Sequence, residues 1–314
     1  DINKAQALVP MGSEVIPNQL GTAPCMVFRF SEDRFPHRPT LYSLPGVPFE
    51  ALGLLPEVIA DIKHHHVLDD IHHKTVVTFG IPESTLAKTI EEWEDSLPSD
   101  MKLAYLPNPL IGVRLRLSIY GGDKTEEIQR IDSEFEKIRP ILGNAIYGEG
   151  EDSLQLVIGK HLTNKGLTMS AAESCTGGKI ASLITSIPGS SAYFYGSVTS
   201  YDNSVKENVL GVPHEVIASH GAVSKECVEE MAKGVNRLMR TDFAVATSGI
   251  AGPGGGSPEK PVGTAWIAVA YRDKVTGNEE VVSKKISFNN NRETNINRFA
   301  SNALNLLRLQ IENH

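Results

Sequence analysis

Ser170-Ala171-Ala172-Glu173-Ser174-Cys175-Thr176-Gly177-Gly178 constrains this chain more than any other stretch. It follows Gly166, Leu167, Thr168 and Met169, which begin a buried strand. It precedes Lys179, Ile180, Ala181, Leu183 and Ile184, whose apolar spacing is helical. A hydroxyl-rich, glycine-ended turn between strand and helix puts small nucleophilic side chains at a helix N-terminus. Free backbone N–H groups and the helix dipole favour negative charge there. The same residues also read as an ordinary connection with Ser or Thr as N-cap.

Two further polar loops follow in the C-terminal half. Ala192 to Val198 is an apolar run that ends in Tyr201-Asp202-Asn203-Ser204-Val205-Lys206 and a short helix closing at Gly211. His220-Gly221-Ala222-Val223-Ser224 opens a helix with Val228, Met231, Ala232, Val235 and Leu238 on its apolar face. Asp242 to Ala246 reads as a buried strand ending in Thr247-Ser248-Gly249-Ile250-Ala251-Gly252-Pro253-Gly254-Gly255-Gly256-Ser257. So many glycines in one loop can bring bare backbone against a ligand. Lys260-Pro261-Val262-Gly263-Thr264 then introduces the apolar run Ala265 to Tyr271. Polar loops at the ends of three successive strands point to one shared site in an α/β domain.

This set resembles the C-terminal domain of the competence/damage-inducible protein CinA family, from about residue 152 onward. The matching motifs are Ala172 to Gly178, Tyr201 with Asn203 and Lys206, His220 to Ser224, Ser248 to Pro253, and Pro261 to Thr264. The resemblance implies a nicotinamide mononucleotide deamidase, which hydrolyses a carboxamide to give nicotinate mononucleotide and ammonia in pyridine nucleotide recycling. It implies no cofactor for that reaction, a small nucleotide as ligand, and a homodimer.

Upstream, Asn18-Gln19-Leu20-Gly21-Thr22-Ala23-Pro24 and Leu44-Pro45-Gly46-Val47-Pro48-Phe49-Glu50 resemble the last motifs of the molybdopterin-biosynthesis-like domain that opens CinA proteins. Relatives usually carry glycine after Gly-Thr-Ala-Pro; Cys25 stands here, where a positive φ is expected to be needed. The chain starts at Asp1 without Met, and a stretch of about seventy residues buries too little surface to rebuild that domain's sheet. The expectation is therefore a truncated first domain, and little support for the ADP-ribose pyrophosphatase activity some relatives attach to it.

Glu50 to Lys63 reads as a helix leading into His64-His65-His66 and His72-His73. No Cys or second acidic cluster stands at ligand spacing and Asp69-Asp70 alone is a weak set, so a solvated linker is expected rather than a metal site. Lys74 to Phe79 alternates as a strand and Glu83 to Glu94 reads as one helix. Strands follow around Leu103 and over Val113 to Ile119, then a helix from Thr125 to Ile138. That order resembles the KH-like middle domain of the family. A nucleic-acid-binding KH domain clamps the backbone with Gly-x-x-Gly. Tyr120-Gly121-Gly122-Asp123 lacks that spacing and adds an acid, so this unit reads as structural.

The expected fold is α/β: residues 1–72 are the tail of an α/β first domain with its linker, and 73–150 a small α+β KH-like domain. Residues 151–314 form a three-layer α/β/α domain. The formal net charge of -8 argues against nucleic-acid binding, which needs a basic face. No apolar run approaches the ~18 residues of a membrane span. Cys25, Cys175 and Cys227 are too few and too scattered for a disulfide framework. A cytoplasmic enzyme is expected.

Amide hydrolysis needs a nucleophile, a base, donors for the oxyanion and an acid for the leaving ammonia. His161, His214 and His220 are isolated, no metal-ligand spacing appears, and Cys175 has no evident histidine partner. What remains is a hydroxyl with a neutral lysine, which requires a dry pocket that lowers its pKa. Matched position by position, the resemblance implies Ser174 as nucleophile, Lys206 as base, and Tyr201 orienting Lys206 or shuttling its proton. Ser248 and the Gly249 N–H would hold the carboxamide or its oxyanion. Thr176 is the rival hydroxyl, read as helix cap and, with Gly177, as substrate contact. Arg292 would clamp the phosphate with its fork of donors. Arg298 and Arg308 read as solvated on a core-packing helix. The alternative class is a non-catalytic scaffold tied to competence or DNA damage.

Overall fold

The computed structural model describes residues 8–272 and 277–314; residues 1–7 of the expected first domain lie outside them. The chain divides into two compact units, Asp1–Asp70 and Ile71–His314. In the first, β1 (Glu14–Ile16), β2 (Cys25–Arg29) and β3 (Thr40–Ser43) pair antiparallel in that order. Helix α1 (Pro48–His65) starts with proline in its first turn, where no N–H is missed. Cys25, Val27, Leu54 and Val58 form the small core. Cys25 sits in an extended strand, so no positive φ is demanded of it. Asp61 accepts both Arg29 Nη2 contacts at 2.7 Å and the Tyr42 hydroxyl at 2.5 Å.

The second unit contains two sheets. Strands β4 (Ile71–Thr78), β5 (Lys102–Asn108), β6 (Gly112–Tyr120) and β7 (Ile146–Glu149) form an antiparallel sheet in the order β5-β6-β4-β7. The strict alternation of β6 turns Val113, Leu115, Leu117 and Ile119 inward. They meet Ile131, Phe135 and Ile138 of α4 (Lys124–Leu142). The helix expected over Glu83 to Glu94 is two, α2 (Glu83–Thr89) and α3 (Glu91–Asp95). Ile90 breaks them with ψ near 10°, and that bend lets Leu86, Ile90 and Trp93 all reach one core. The histidine stretch is not a linker throughout. His64 and His65 end α1, and His72 and His73 lie in β4, which already contains the expected 72/73 junction.

The second sheet has the order β12-β11-β10-β8-β9. Its strands are β8 (Met169–Glu173), β9 (Phe194–Thr199), β10 (Phe243–Gly249), β11 (Thr264–Arg272) and β12 (Glu279–Ser287). Strands β10, β8 and β9 run parallel, while β11 and β12 return antiparallel. Alternation along β10 sends Phe243 and Val245 to one face and Ala244 and Ala246 to the other. The first face packs against α5 (Leu154–Lys165), α6 (Lys179–Thr185) and α10 (Arg292–Glu312). The alanine face receives α9 (Lys225–Met239) through Val228, Met231 and Val235. Two short helices, α7 (Asn203–Asn208) and α8 (His214–His220), complete the three layers.

Arg308 is not solvated. It is 1% exposed, lies over the Tyr147 ring at 5.7 Å, and bonds Asn144 O at 2.8 Å and Glu312 at 2.8 Å. With Val77, Phe79 and Tyr147 sharing the core of α5 and α10, it ties the middle sheet to the C-terminal domain. Arg298 is half-buried over Phe288, 5.2 Å from the ring centre. Among the described residues, no helix is long and apolar enough to cross a membrane.

Candidate active site

Parallel pairing of β10, β8 and β9 puts their C-terminal ends on one edge of the sheet. The three polar loops leave from that edge. They border a cavity of about 280 Å³. Ser174, Lys206, Tyr201, Ser248, Gly249 and Arg292 all line it; Thr176 and Gly177 do not.

Ser174 follows the last residue of β8 directly, and its N–H is pinned to Thr247 O of β10 at 3.0 Å. Gly177 and Gly178 then take φ of 58° and 98°, a left-handed corner that admits the helix start. Thr176 does not cap α6. Its hydroxyl is buried against the Thr247 hydroxyl at 2.7 Å, and the helix N-cap is Gly178, which has no side chain to offer. The cap is Glu173, which is fully buried and accepts from Gly178, Ile180 and Ala181 N–H at 3.1, 2.9 and 2.9 Å. Sequence reasoning missed this residue. Its signal was an acid at the end of an otherwise apolar strand, where a charge must find partners.

Lys206 sits on α7, whose start is capped by Asp202 accepting from Ser204 N–H at 2.8 Å. Its side chain is 1% exposed, and Nζ donates to Ser200 O at 2.7 Å and Tyr201 O at 3.2 Å. Burial pushes its pKa below the ordinary lysine value, because desolvation penalises the ammonium. Two main-chain carbonyls thus hold Nζ, and Lys206 also lines the cavity.

Tyr201 meets Lys206 through its main chain. The phenol is 64% exposed and accepts from Arg292 Nη2 at 3.3 Å, which places it at the mouth of the cavity. Arg292 also donates to Gly252 O at 2.6 Å, and Asn295, one turn on, donates to Ala251 O at 3.1 Å. The start of α10 therefore fastens the glycine loop. Ser248 is buried and donates to Ala222 O at 2.7 Å. The Phe243 N–H donates toward β8, at Thr168 O; strand alternation turns the Gly249 N–H to that same side, where Ser174 follows β8. Burial pushes the Cys175 thiol up to about 12, leaving it a neutral and weak nucleophile. Among the described residues, no group of three or more His, Cys, Asp or Glu could hold a metal ion.

Residues 151–311 match the family described as the CinA C-terminal domain, and 73–148 match the damage-inducible protein CinA KH domain. A CinA-like protein of Cytophaga hutchinsonii is 43% identical over 313 residues, covering 99% of this chain and 72% of the relative. One from Flavobacterium psychrophilum is 45% identical over 312 residues with the same coverage of each chain. A crystal structure of the competence/damage inducible protein CihA from Agrobacterium tumefaciens is 39% identical. It covers 51% of this chain and 93% of that one, with a TM-score of 0.48.

Proposed function

The chain belongs to the CinA family, and on that footing we propose that its C-terminal domain hydrolyses the carboxamide of nicotinamide mononucleotide to nicotinate mononucleotide and ammonia. The observation that carries the reading is Lys206: a buried amine, held by two carbonyls, on a cavity it shares with the Ser174 hydroxyl. Such an amine is of little use to packing, because burying it costs free energy that an apolar side chain would not. It is what a hydroxyl nucleophile needs.

Ser174 Oγ attacks the carboxamide carbon while its proton passes to Lys206 Nζ. The carbonyl oxygen becomes an oxyanion, which the Gly249 N–H meets from the end of β10. Collapse of that intermediate breaks the C–N bond, and the Lys206 ammonium returns its proton to the departing ammonia. Water then attacks the acyl-Ser174 ester with Lys206 again as base, releasing the carboxylate. The cavity of about 280 Å³ lies just below the ~300–1,000 Å³ of drug-sized ligand pockets, which limits the substrate to a small molecule such as one mononucleotide. Arg292 at its mouth is the cation available to the phosphate. A homodimer in the cytoplasm belongs to the same reading.

The purified chain should release ammonia from nicotinamide mononucleotide with no metal added, and no AMP from ADP-ribose. Activity that a chelator abolishes and a divalent ion restores would overturn this mechanism. Ammonia release absent under all conditions would leave a scaffold role in its place.

A further inference from the structure

Helix α6 opens directly behind the site, and its first N–H groups would ordinarily attract an anion. Here that place is filled from within. Glu173 Oε2 accepts from Gly178 and Ile180 N–H, and Oε1 from Ala181 N–H and, at 3.3 Å, the Ser197 hydroxyl of β9. Each carboxylate oxygen holds two donors, and the side chain is fully buried and off the cavity wall. It therefore has no lone pair aimed at a substrate, and it denies this helix start to the substrate's own phosphate.

The same residue also stands between the two reacting groups. Ser174 is its immediate successor. The Glu173 main-chain carbonyl accepts from Ser200 N–H at 2.9 Å, and the Ser200 carbonyl in turn accepts from Lys206 Nζ at 2.7 Å. We propose that Glu173 is the positioning residue of this site: its carboxylate gathers the α6 start and β9 around the turn and so sets Ser174 against Lys206. This rests on the amidase reading above. A capping hydroxyl at Ser174 or Thr176 would have been consumed by the helix; a carboxylate supplied from the preceding strand leaves the Ser174 hydroxyl for chemistry.

E173Q tests this with shape nearly kept. Whichever way the amide turns, its NH₂ faces donors that a carboxylate oxygen served, so at least one backbone bond is lost. At a temperature where circular dichroism shows the variant folded, kcat for nicotinamide mononucleotide should fall on the order of 100-fold with KM within about twofold, as for a misplaced nucleophile. A purely structural cap would lower Tm and leave kcat of the folded protein alone, and that result overturns the proposal. Should E173Q not fold, Ser197→Ala removes one donor of four and should lower kcat about threefold to tenfold at unchanged KM; an unchanged kcat there overturns it equally. A wild type that releases no ammonia sinks the amidase reading instead. Hydrogen exchange over residues 174–181 then tests the turn alone: unchanged exchange in E173Q would show that the carboxylate does not hold it and overturns the proposal.

Discussion

Two turns in this protein pass from a strand through paired glycines into a helix, and they differ in where the cap comes from. At Tyr120-Gly121-Gly122-Asp123 the glycines take φ of 74° and 81°, and Asp123 caps α4 locally, accepting from Thr125 and Glu126 N–H at 2.9 and 3.2 Å. At Ser174 to Gly178 the glycines take a similar corner, but the cap is the side chain of Glu173, before the turn. The first turn satisfies the helix with the residue nearest to hand and has nothing left over. The second satisfies it from behind and leaves a hydroxyl facing a cavity. Sheet topology reinforces the contrast. The middle sheet is antiparallel throughout, so its strand ends alternate between two edges. Three parallel strands in the C-terminal sheet deliver their loops to one edge.

The sharpest way to break this comparison is at the dyad. Ser174→Ala and Lys206→Ala should each lower kcat by several orders of magnitude, and the double variant should be little worse than either, because residues acting as one unit are non-additive. Near-normal turnover in Ser174→Ala alongside a dead Lys206→Ala would make water the nucleophile. Ser174→Ala opens no cavity and should keep a normal melting transition; Lys206→Ala empties a fully buried site, so its kcat is read at a temperature where circular dichroism shows the variant folded.

Next in size is Arg292→Ala. Losing a charge-assisted contact to phosphate should raise KM about 30- to 150-fold, or about 2–3 kcal/mol, with a smaller change in kcat. Because Arg292 also holds Gly252 O, a variant in which kcat falls and KM stays would show that loop anchoring is its part.

The pH dependence follows from the direction of the Lys206 shift. Desolvation lowers its folded pKa, so the base is neutral, and kcat should reach its plateau, below the ordinary lysine value of ~10.4. A stability effect of the same sign accompanies this. Below the unfolded pKa the unfolded chain holds a proton that the folded state resists, so the folded state loses stability as pH falls from there toward the folded pKa. In Lys206→Met that component should vanish, and urea midpoints at pH 7 and pH 10 should lie closer together than in the wild type. An inflection in kcat at or above the ordinary value removes the neutral-amine mechanism.

The smallest effect is at the other turn. Asp123→Ala should cost about 1 kcal/mol of stability, the usual worth of an N-cap, and leave deamidation unchanged. A loss of activity there would mean that the two turns are not as separate as their caps imply.

Much of the fold could be read from local periodicity. The alternation of Val113, Leu115, Leu117 and Ile119, and the helical spacing of Val228, Met231 and Val235, are set within single elements. Each places its apolar face without reference to the rest of the chain. Ile90 was hidden because a one-residue bend leaves the apolar pattern intact. Arg308 was hidden because a buried arginine has the same local sequence as a solvated one until Asn144 and Glu312 reach it. The three loops of the site were visible as glycine and hydroxyl clusters; roles for Ser174, Lys206 and Arg292 came from family resemblance, not from their spacing.

Sequence alone determined the strands and helices that flank the site's loops, that the C-terminal half alternates them, and that small polar loops end the buried strands. Tertiary structure decided the strand order that brings those loops to one edge, and with it every pairing across the site. Thr176 meets Thr247 from 71 positions away, and Arg292 reaches Tyr201 from 91. Lys206 is a surface residue or a buried amine according to whether Ser200 and Tyr201 carbonyls close over it. Apolar periodicity is a property of neighbours along the chain. Burial of a charge depends on groups that only the packed sheet brings together.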